Sequence, residues 1–89
     1  MLIIRRIVGE SMYPTYKEGQ IVIGLKSKEY RIGQIVIAIQ NNREVVKRIT
    51  AIGDGYYNLV GDNLAKSSDS RKLGPVKKGD ILGKVILTI

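Results

Sequence analysis

The chain has 89 residues, of which 44% are hydrophobic and 26% are charged, a balance typical of one small globular domain. It contains neither cysteine nor histidine, which excludes disulfides, thiolate and imidazole metal sites, and every catalytic mechanism with a histidine base. The net charge of +7 suits an anionic partner, either nucleic acid or an acidic membrane surface, although solvated lysines explain it more simply. We expect a single domain, residues 1–89, with no metal and no cofactor.

Six segments have the short, Ile- and Val-rich character of β-strands. In chain order they are residues 2–8, 20–25, 34–40, 44–52, 56–60 and 81–87. Asn41-Asn42 predicts a tight hairpin turn between the third and fourth strands, and Gly53-Asp54-Gly55 predicts another between the fourth and fifth. Many short strands separated by turns indicate a mostly β fold, a small antiparallel barrel-like or sandwich domain.

Turn and loop signals occupy much of the remaining sequence. The letters GQIVI occur at residues 19–23 and again at 33–37, and GDIL at 79–82 echoes them. Because the spacings are unequal, we expect one kind of glycine turn used three times to lead into a buried strand, rather than an internal repeat. Residues 62–78 are rich in Ser, Lys and Asp and predict a loop of a length that usually has a functional reason.

The apolar runs are too short for a membrane-spanning helix. The longest, IVIAI at residues 35–39, is far below the roughly 18 residues that a spanning helix requires. The N-terminal letters MLIIRR are also too few, and in the wrong order, for a secretory signal. We therefore expect a soluble, cytoplasmic protein. The alternative is a membrane-associated enzyme, if the chain is a fragment or has an anchored partner.

The missing histidine and cysteine restrict the catalytic chemistry. The remaining options are Ser or Thr with Lys, Ser with a carboxylate, or a pair of carboxylates. The eight acidic residues are scattered, so a glycosidase-like pair is unsupported, and there is no glycine-rich phosphate loop. No basic and aromatic motif for base stacking is present, so we expect no nucleic-acid partner.

Ser11 is the first candidate for catalysis. It lies in the segment GESMYPT at residues 9–15, directly after the first predicted strand. A serine that leaves a strand just before an X-Pro pair sits on a rigid exposed turn, where backbone N–H groups can point toward its Oγ. By position alone, however, a serine near a proline is more often only a turn residue.

Lys47 is the second candidate. On a strand over residues 44–52 it shares a face with Val45, Ile49 and Ala51. Burial on an apolar face lowers the pKa of a lysine, which can then accept a proton as an arginine cannot. A lysine that extends its ammonium group to solvent is the simpler interpretation, and Arg5 also lies among alternating isoleucines.

Three sequence segments, taken together, are more informative about function than any one of them alone. They are SMYPT at residues 11–15, KR at 47–48 and GDNLAKSSDSR at 61–71. Their order and spacing resemble the type I signal peptidase family of Ser/Lys peptidases, which is related to the self-cleaving repressor peptidases. The resemblance extends over residues 7–87. It implies a serine endopeptidase that removes a leader or signal segment from a precursor, on the β fold of these peptidases.

The resemblance also implies a role for each matching residue. Ser11 is the nucleophile, Lys47 is the general base, and Ser67 supplies a hydroxyl that orients the lysine. The nucleophile turn consists of Gly9, Glu10, Met12 and Pro14. Some family members carry an oxyanion-hole hydroxyl at the position of Gly9, so here backbone N–H groups would take that role. The structural motif positions are Gly61, Asp62, Asn63, Asp69 and Arg71, of which the last two match an ion pair.

Several subtypes and alternatives follow. Without the usual anchor and second domain, the chain is similar to the small maturation proteases that trim the leader of nickel-type superoxide dismutase. A signal peptidase cut free of its anchor is the other subtype.

A repressor-type switch domain would need a helix-turn-helix and a cleavable segment before Ser11, and neither is present. A non-catalytic basic β-domain that binds nucleic acid or an acidic membrane surface is the remaining alternative. We expect a precursor protein or leader peptide as the partner, with peripheral membrane contact as a further expectation, and predict no oligomeric state.

Overall fold

The computed structural model describes residues 1–63, 65 and 73–89, and most of these residues are in β-strands or turns. The strands are β1 (Leu2–Arg6), β2 (Ile21–Leu25), β3 (Ile35–Gln40), β4 (Arg43–Gly53), β5 (Tyr56–Val60), β6 (Val76–Lys77) and β7 (Ile81–Thr88), with a 3₁₀ turn, Lys78–Asp80, before β7. All six predicted strands are confirmed, with small differences at their ends. β6 is absent from the sequence prediction because two residues cannot show alternation, and it replaces part of the expected loop. No helix in the described ranges is long and apolar enough to cross a membrane.

The strands form one antiparallel sheet in the order β1-β2-β7-β3-β4-β5-β6, which confirms the mostly β, antiparallel fold. β4 pairs with β3 from Arg43 to Arg48 and with β5 from Arg48 to Gly53. Within the described part of the chain, the first half of β4 therefore has an open edge on the side away from β3, and β1 has an open edge on the side away from β2. The sheet curls so that these two open edges lie close together. An ion pair of 2.8 Å between Arg5 on β1 and Glu44 on β4 joins them.

Both predicted hairpin turns are confirmed. Asn41 and Asn42 have φ angles of 54° and 64°, in the left-handed region that asparagine tolerates. Asp54 and Gly55 have φ angles of 52° and 79°, and they close the turn between β4 and β5. Two-residue turns with both φ angles positive match the natural twist of paired strands, so these turns fix the register of β3 to β4 and of β4 to β5.

The two GQIVI copies enter their strands by the same turn. Gly19 and Gly33 have φ angles of 93° and 95°. The side-chain oxygens of Gln20 and Gln34 each accept a hydrogen bond from the backbone N–H three residues earlier, at 2.6 and 2.8 Å. The prediction of a third such turn is wrong, since Gly79 lies in the 3₁₀ turn and is followed by an aspartate instead of the glutamine that closes the other two.

The buried hydrophobic side chains of the described residues form two clusters. The first core cluster consists of Tyr30, Val36, Ala38, Ile49, Tyr57, Leu59, Val76 and Ile81. The second core cluster consists of Ile7, Met12, Tyr16, Val22 and Ile37. β3 contributes to both because successive residues of a strand point to opposite faces. The second core cluster also holds Met12, the residue after Ser11, which ties the expected nucleophile turn to the core.

Gly83 on β7 lies against the backbone of β2, and we expect a larger residue there to be destabilising. A Cβ at residue 83 would lie 3.1 to 3.2 Å from backbone atoms of Leu25, which cannot move without disturbing the sheet. Gly83→Ala should therefore lower the free energy of unfolding by about 1–3 kcal/mol, the usual cost of overpacking. The matched control is Gly53→Ala, because a Cβ there has nothing within 4 Å. Equal stability of the two variants in urea unfolding would contradict this account.

Candidate active site

Ser11 lies in a tight series of turns between β1 and β2. The backbone N–H of Tyr13 donates to the carbonyl of Glu10 at 3.1 Å, which closes a turn around Ser11. Met12 anchors this turn, because only 1% of its surface is exposed. Pro14 is exposed on the outer side of the turn, and the peptide bond before it is cis. The four residues expected to shape the nucleophile turn are thus found together there.

Gly9 begins the nucleophile turn, and its backbone explains why no side chain stands at this position. Its φ angle is 82°, a conformation that L-residues with a Cβ rarely adopt. Its N–H group donates to the carboxylate of Glu18 at 3.1 Å. A hydroxyl-bearing residue here would be strained, and the Gly9 N–H is already engaged. Any backbone oxyanion donors must therefore come from later in the turn.

The segment after β5 holds the nucleophile turn in place. The backbone N–H of Asn63 donates to the carbonyl of Ser11 at 2.8 Å. The side-chain amide of the same asparagine donates to the carbonyl of Glu10 at 3.0 Å. The backbone N–H of Asp62 lies 3.3 Å from the sulfur of Met12. Asp62 and Asn63, expected only as motif residues at the start of a loop, thus contact the turn directly on both sides of Ser11. Gly61, the first residue of this motif, is buried at the end of β5.

Asp62 is itself held by an ion pair with Arg48 that the sequence did not reveal. Two hydrogen bonds of 2.8 Å join the guanidinium to the two carboxylate oxygens. A third, also 2.8 Å, joins Arg48 to the carbonyl of Gly33. The hydroxyl of Thr15, in the nucleophile turn, donates to the carboxylate of Asp62. The pair therefore connects β4, the β2–β3 connection and the nucleophile turn.

The same contacts determine the charge state of the pair. The hydrogen bond from Arg48 lowers the pKa of Asp62 more than partial burial raises it, and the Thr15 hydroxyl lowers it further. The bond to Asp62 in turn raises the pKa of Arg48 above its ordinary value. Both groups are consequently charged at neutral pH, and their attraction acts on the turn that carries Ser11.

Lys47 is buried on β4, as the alternation predicts, with 4% of its surface exposed. It lies opposite Val36 on β3, and its neighbours on the same face, Val45 and Ile49, belong to or pack against the first core cluster. Its Nζ donates to the side-chain oxygen of Gln40 at 3.0 Å. A lysine in this position is held by packing and hydrogen bonding, and it does not reach out to solvent as the simpler interpretation requires.

Ser11 and Lys47 line the same cleft. The cleft has a volume of about 220 Å³ and lies between the end of β1 and the first half of β4. A second cleft of about 380 Å³ continues from it and is lined by Ser11, Lys47 and Gln40 among others. The side chains of Arg5, Arg6 and Glu44 form the charged part of the first cleft. The two residues that sequence reasoning singled out separately are therefore brought together by the fold.

Three of the expected site residues cannot be placed. Ser67, Asp69 and Arg71 lie outside the described residues. Among the residues that are described, no cluster of acidic side chains could hold a metal ion.

The sequence reasoning also missed Gln40. It ends β3 just before the hairpin, where a polar residue is easily interpreted as exposed, although the alternation of Val36 and Ala38 already places it on the face of Lys47.

The mostly β fold, with Ser11 and the buried Lys47 in one cleft, agrees with a serine-peptidase-type fold. The family model described as Peptidase S24-like matches residues 1–86, and the chain belongs to this family. The family is part of a superfamily that includes signal peptidase-like proteins, which agrees with the broader resemblance seen in the motifs. A search of curated proteins gives no match.

Proposed function

We propose that the chain is a serine endopeptidase in which Ser11 is the nucleophile and Lys47 the general base. The observation that carries the proposal is the burial of Lys47 in the cleft that Ser11 also lines. Burial disfavours the charged form of a lysine and so favours the neutral amine that a base requires. Membership of the Peptidase S24-like family supports the same chemistry at the level of the class.

The first half of the reaction is acylation. The Ser11 hydroxyl gives its proton to the lone pair of Lys47 as Oγ attacks the carbonyl carbon of the scissile peptide. The oxyanion that forms would be stabilised by backbone N–H groups of the turn, that of Ser11 and of a neighbour, each contributing about 3–4 kcal/mol. The neighbour is Glu10 or Met12, because the Gly9 N–H is bonded to Glu18. The carbon–nitrogen bond then breaks, and the proton on Lys47 passes to the leaving amine.

The second half is hydrolysis of the acyl-enzyme. Neutral Lys47 takes a proton from a water molecule, whose oxygen attacks the ester carbon. The ester bond to Ser11 breaks, the serine oxygen recovers the proton from Lys47, and the new carboxyl end of the substrate leaves. The balance over both halves is one peptide bond and one water consumed, with no other reactant.

The open edges of β1 and β4 suit an extended peptide as the substrate. A strand edge offers unpaired N–H and C=O groups to which an extended segment can add by backbone hydrogen bonds. Both edges border the cleft of Ser11 and Lys47. The resemblance to the signal peptidases implies small side chains next to the cut. This fits a leader ending in small residues, as in Ala-x-Ala sites.

The finer assignment within the class rests on motif resemblance. Ser11, Lys47 and the segment that begins at Gly61 resemble the type I signal peptidases, and the maturation proteases of nickel-type superoxide dismutase are the subtype that we favour. We place the enzyme in the cytoplasm, where it would remove a leader from a precursor protein. The subtype is tested with leader peptides of both kinds, followed by mass spectrometry of the products.

In an alternative function, the protein has the same fold but is not catalytic. The exposed side chains of Leu2 and Ile4 on β1 and of Leu87 on β7 lie near one another on the outer face of the sheet. With a net charge of +7, such a face favours contact with an acidic membrane surface. This alternative is favoured if the wild type cuts no leader peptide but sediments with anionic vesicles in a salt-dependent way.

The pH profile is a direct test of a lysine base. We expect kcat/KM to rise with pH into the alkaline range, because the neutral fraction of Lys47 increases. The fold should not limit this range, since the lowered pKa of Asp62 keeps its ion pair intact above acidic pH. Hydrolysis of one leader peptide is measured from pH 5 to pH 9, with circular dichroism at each pH as the control. A flat profile would contradict a lysine base.

A further inference from the structure

Gln40 is a buried polar side chain whose two ends are both engaged. Only 2% of its surface is exposed. Its oxygen accepts a hydrogen bond from Nζ of Lys47 at 3.0 Å. Its nitrogen donates to the carbonyl of Gly74, also at 3.0 Å. It also lines the second cleft together with Ser11 and Lys47.

The carbonyl of Gly74 fixes which end of the amide meets the lysine. A backbone carbonyl can only accept, so the NH₂ end of Gln40 must face Gly74. The oxygen end must then face Lys47, which can donate in both its charged and its neutral form. The orientation of the amide is therefore set by the fold and does not depend on the protonation state of Lys47.

We propose that Gln40 is a positioning residue for Lys47, an inference that rests on the proposed Ser/Lys function. A neutral amine has two N–H groups and one lone pair. When an N–H group is directed at Gln40, the rotation of the amine is restricted, and the lone pair stays available for the proton of Ser11. A donor in place of Gln40 would instead compete for that lone pair.

An amide is also the acceptor that adds no charge. A carboxylate at the same place would stabilise the ammonium form of Lys47 and so weaken it as a base. Among the residues that the structure describes, the other charged groups lining the two clefts are Arg5 and Arg6 at the end of β1, and Arg43 and Glu44 at the start of β4. They carry three positive charges and one negative charge, and Glu44 is paired with Arg5. The combined charge of these four groups is positive, which disfavours a further ammonium group beside them.

Two variants separate positioning from structure. Gln40→Met keeps the length of the side chain and removes the acceptor, and we expect kcat to fall about 10- to 100-fold, the cost of a misplaced catalytic group, with KM changed less than about twofold. Gln40→Glu keeps the shape and the acceptor but adds a charge. In the pH profile of this variant, we expect the rise of activity to occur at a pH at least about one unit higher than in the wild type. At high pH its kcat should recover toward the wild-type value. A residue that supports only the fold, without contact to Lys47, would not move this rising part of the pH profile.

The control is Gln20→Met, which removes another glutamine whose oxygen holds a backbone N–H group, but which lines neither cleft. Its pH profile should match that of the wild type. If Gln40→Met does not fold, the Gln40→Glu profile decides alone. An active wild type, an inactive Lys47→Ala and an unmoved Gln40→Glu profile would overturn the positioning role alone. A wild type that cuts nothing would overturn the proposed function, and the positioning role with it.

Discussion

Replacing Ser11 or Lys47 by alanine is expected to lower kcat/KM for leader-peptide cleavage by at least about 10³-fold, because each residue supplies a step that nothing else can perform. Without Ser11 no acyl-enzyme forms, and without Lys47 the serine hydroxyl has no base. The two residues act as one unit, so the double variant should be about as slow as either single one. Steady-state hydrolysis of a leader peptide, with products identified by mass spectrometry, measures all three.

The Lys47→Arg variant tests most directly whether Lys47 acts as a base. Arginine keeps the positive charge, the length and the ability to donate to Gln40, but it does not lose its proton. We expect the arginine variant to be as inactive as the alanine variant. Activity within about tenfold of the wild type would show that Lys47 acts as a cation and not as a base.

Neighbouring residues of the same types serve as controls. Ser27→Ala and Lys26→Ala replace a serine and a lysine in the loop after β2, and neither residue lines the clefts. Both variants should cut at the wild-type rate. Cleavage that survives in Ser11→Ala or Lys47→Ala would contradict the dyad. If the wild type itself is inactive, and all variants bind anionic vesicles equally, the non-catalytic alternative is the better explanation.

The sequence predicted those parts of the molecule that depend on neighbouring residues. Alternation and turn chemistry are local, so the strands, the Asn41-Asn42 hairpin and the Asp54-Gly55 hairpin could all be inferred. The same alternation placed Lys47 on the face of Val45 and Ile49, but it did not decide between burial and an ammonium group that reaches solvent. The second GQIVI turn was predictable for the same reason, because the glycine and the glutamine that form it are adjacent.

The contacts that support the site depend on register between strands far apart in the chain. In the sequence, Arg48 is only the second residue of the KR segment, and its partner lies beyond the next hairpin, at a position set by the pairing of Arg48 with Val60. Gln40 meets Lys47 across a hairpin, and its second partner, Gly74, comes from a distant connection. Short β6 likewise exists only because Tyr56 and Tyr57 offer it an edge. Such contacts need the assembled sheet, and composition or spacing does not reveal them.

The ion pair of Arg48 and Asp62 should be the largest single electrostatic contribution to stability among the described residues. Asp62→Asn is expected to lower the free energy of unfolding by about 2 kcal/mol, within the range for hydrogen bonds to charged groups. A fully buried pair would cost more to break, about 3–5 kcal/mol. Here the Arg48 side chain is 36% exposed and that of Asp62 18% exposed, so water screens part of the loss.

The sign of the pH dependence follows from the lowered pKa of Asp62. A carboxylate whose pKa is lower in the folded state stabilises the fold above its unfolded pKa, about 3.9, and this contribution is lost as the pH falls through the folded pKa. Wild type and Asp62→Asn should therefore differ most at neutral pH and converge in acid. Urea unfolding from pH 2 to pH 7 measures this difference, and a constant difference over that range would contradict the assignment.

The control for stability is the other ion pair, Arg5 with Glu44, whose side chains are 44% and 34% exposed. Glu44→Gln should change the free energy of unfolding by less than about 0.5 kcal/mol, as is usual for exposed pairs. A double-mutant cycle of Asp62→Asn with Arg48→Met should give a coupling energy of at least about 1 kcal/mol. Additive single effects would mean that the two residues contribute independently.

Loss of the Arg48–Asp62 pair should also disturb the turn around Ser11. Asp62 bonds Thr15, and its neighbour Asn63 bonds the carbonyls of Glu10 and Ser11, so the pair holds the backbone on both sides of the nucleophile. We expect Asp62→Asn, measured well below its unfolding temperature, to lower kcat about tenfold or more, because small displacements of a nucleophile are costly. The pH at which activity rises should be the same as in the wild type, since Lys47 and Gln40 are unchanged. That combination, a lower kcat with an unchanged pH dependence, distinguishes a displaced nucleophile from an altered base.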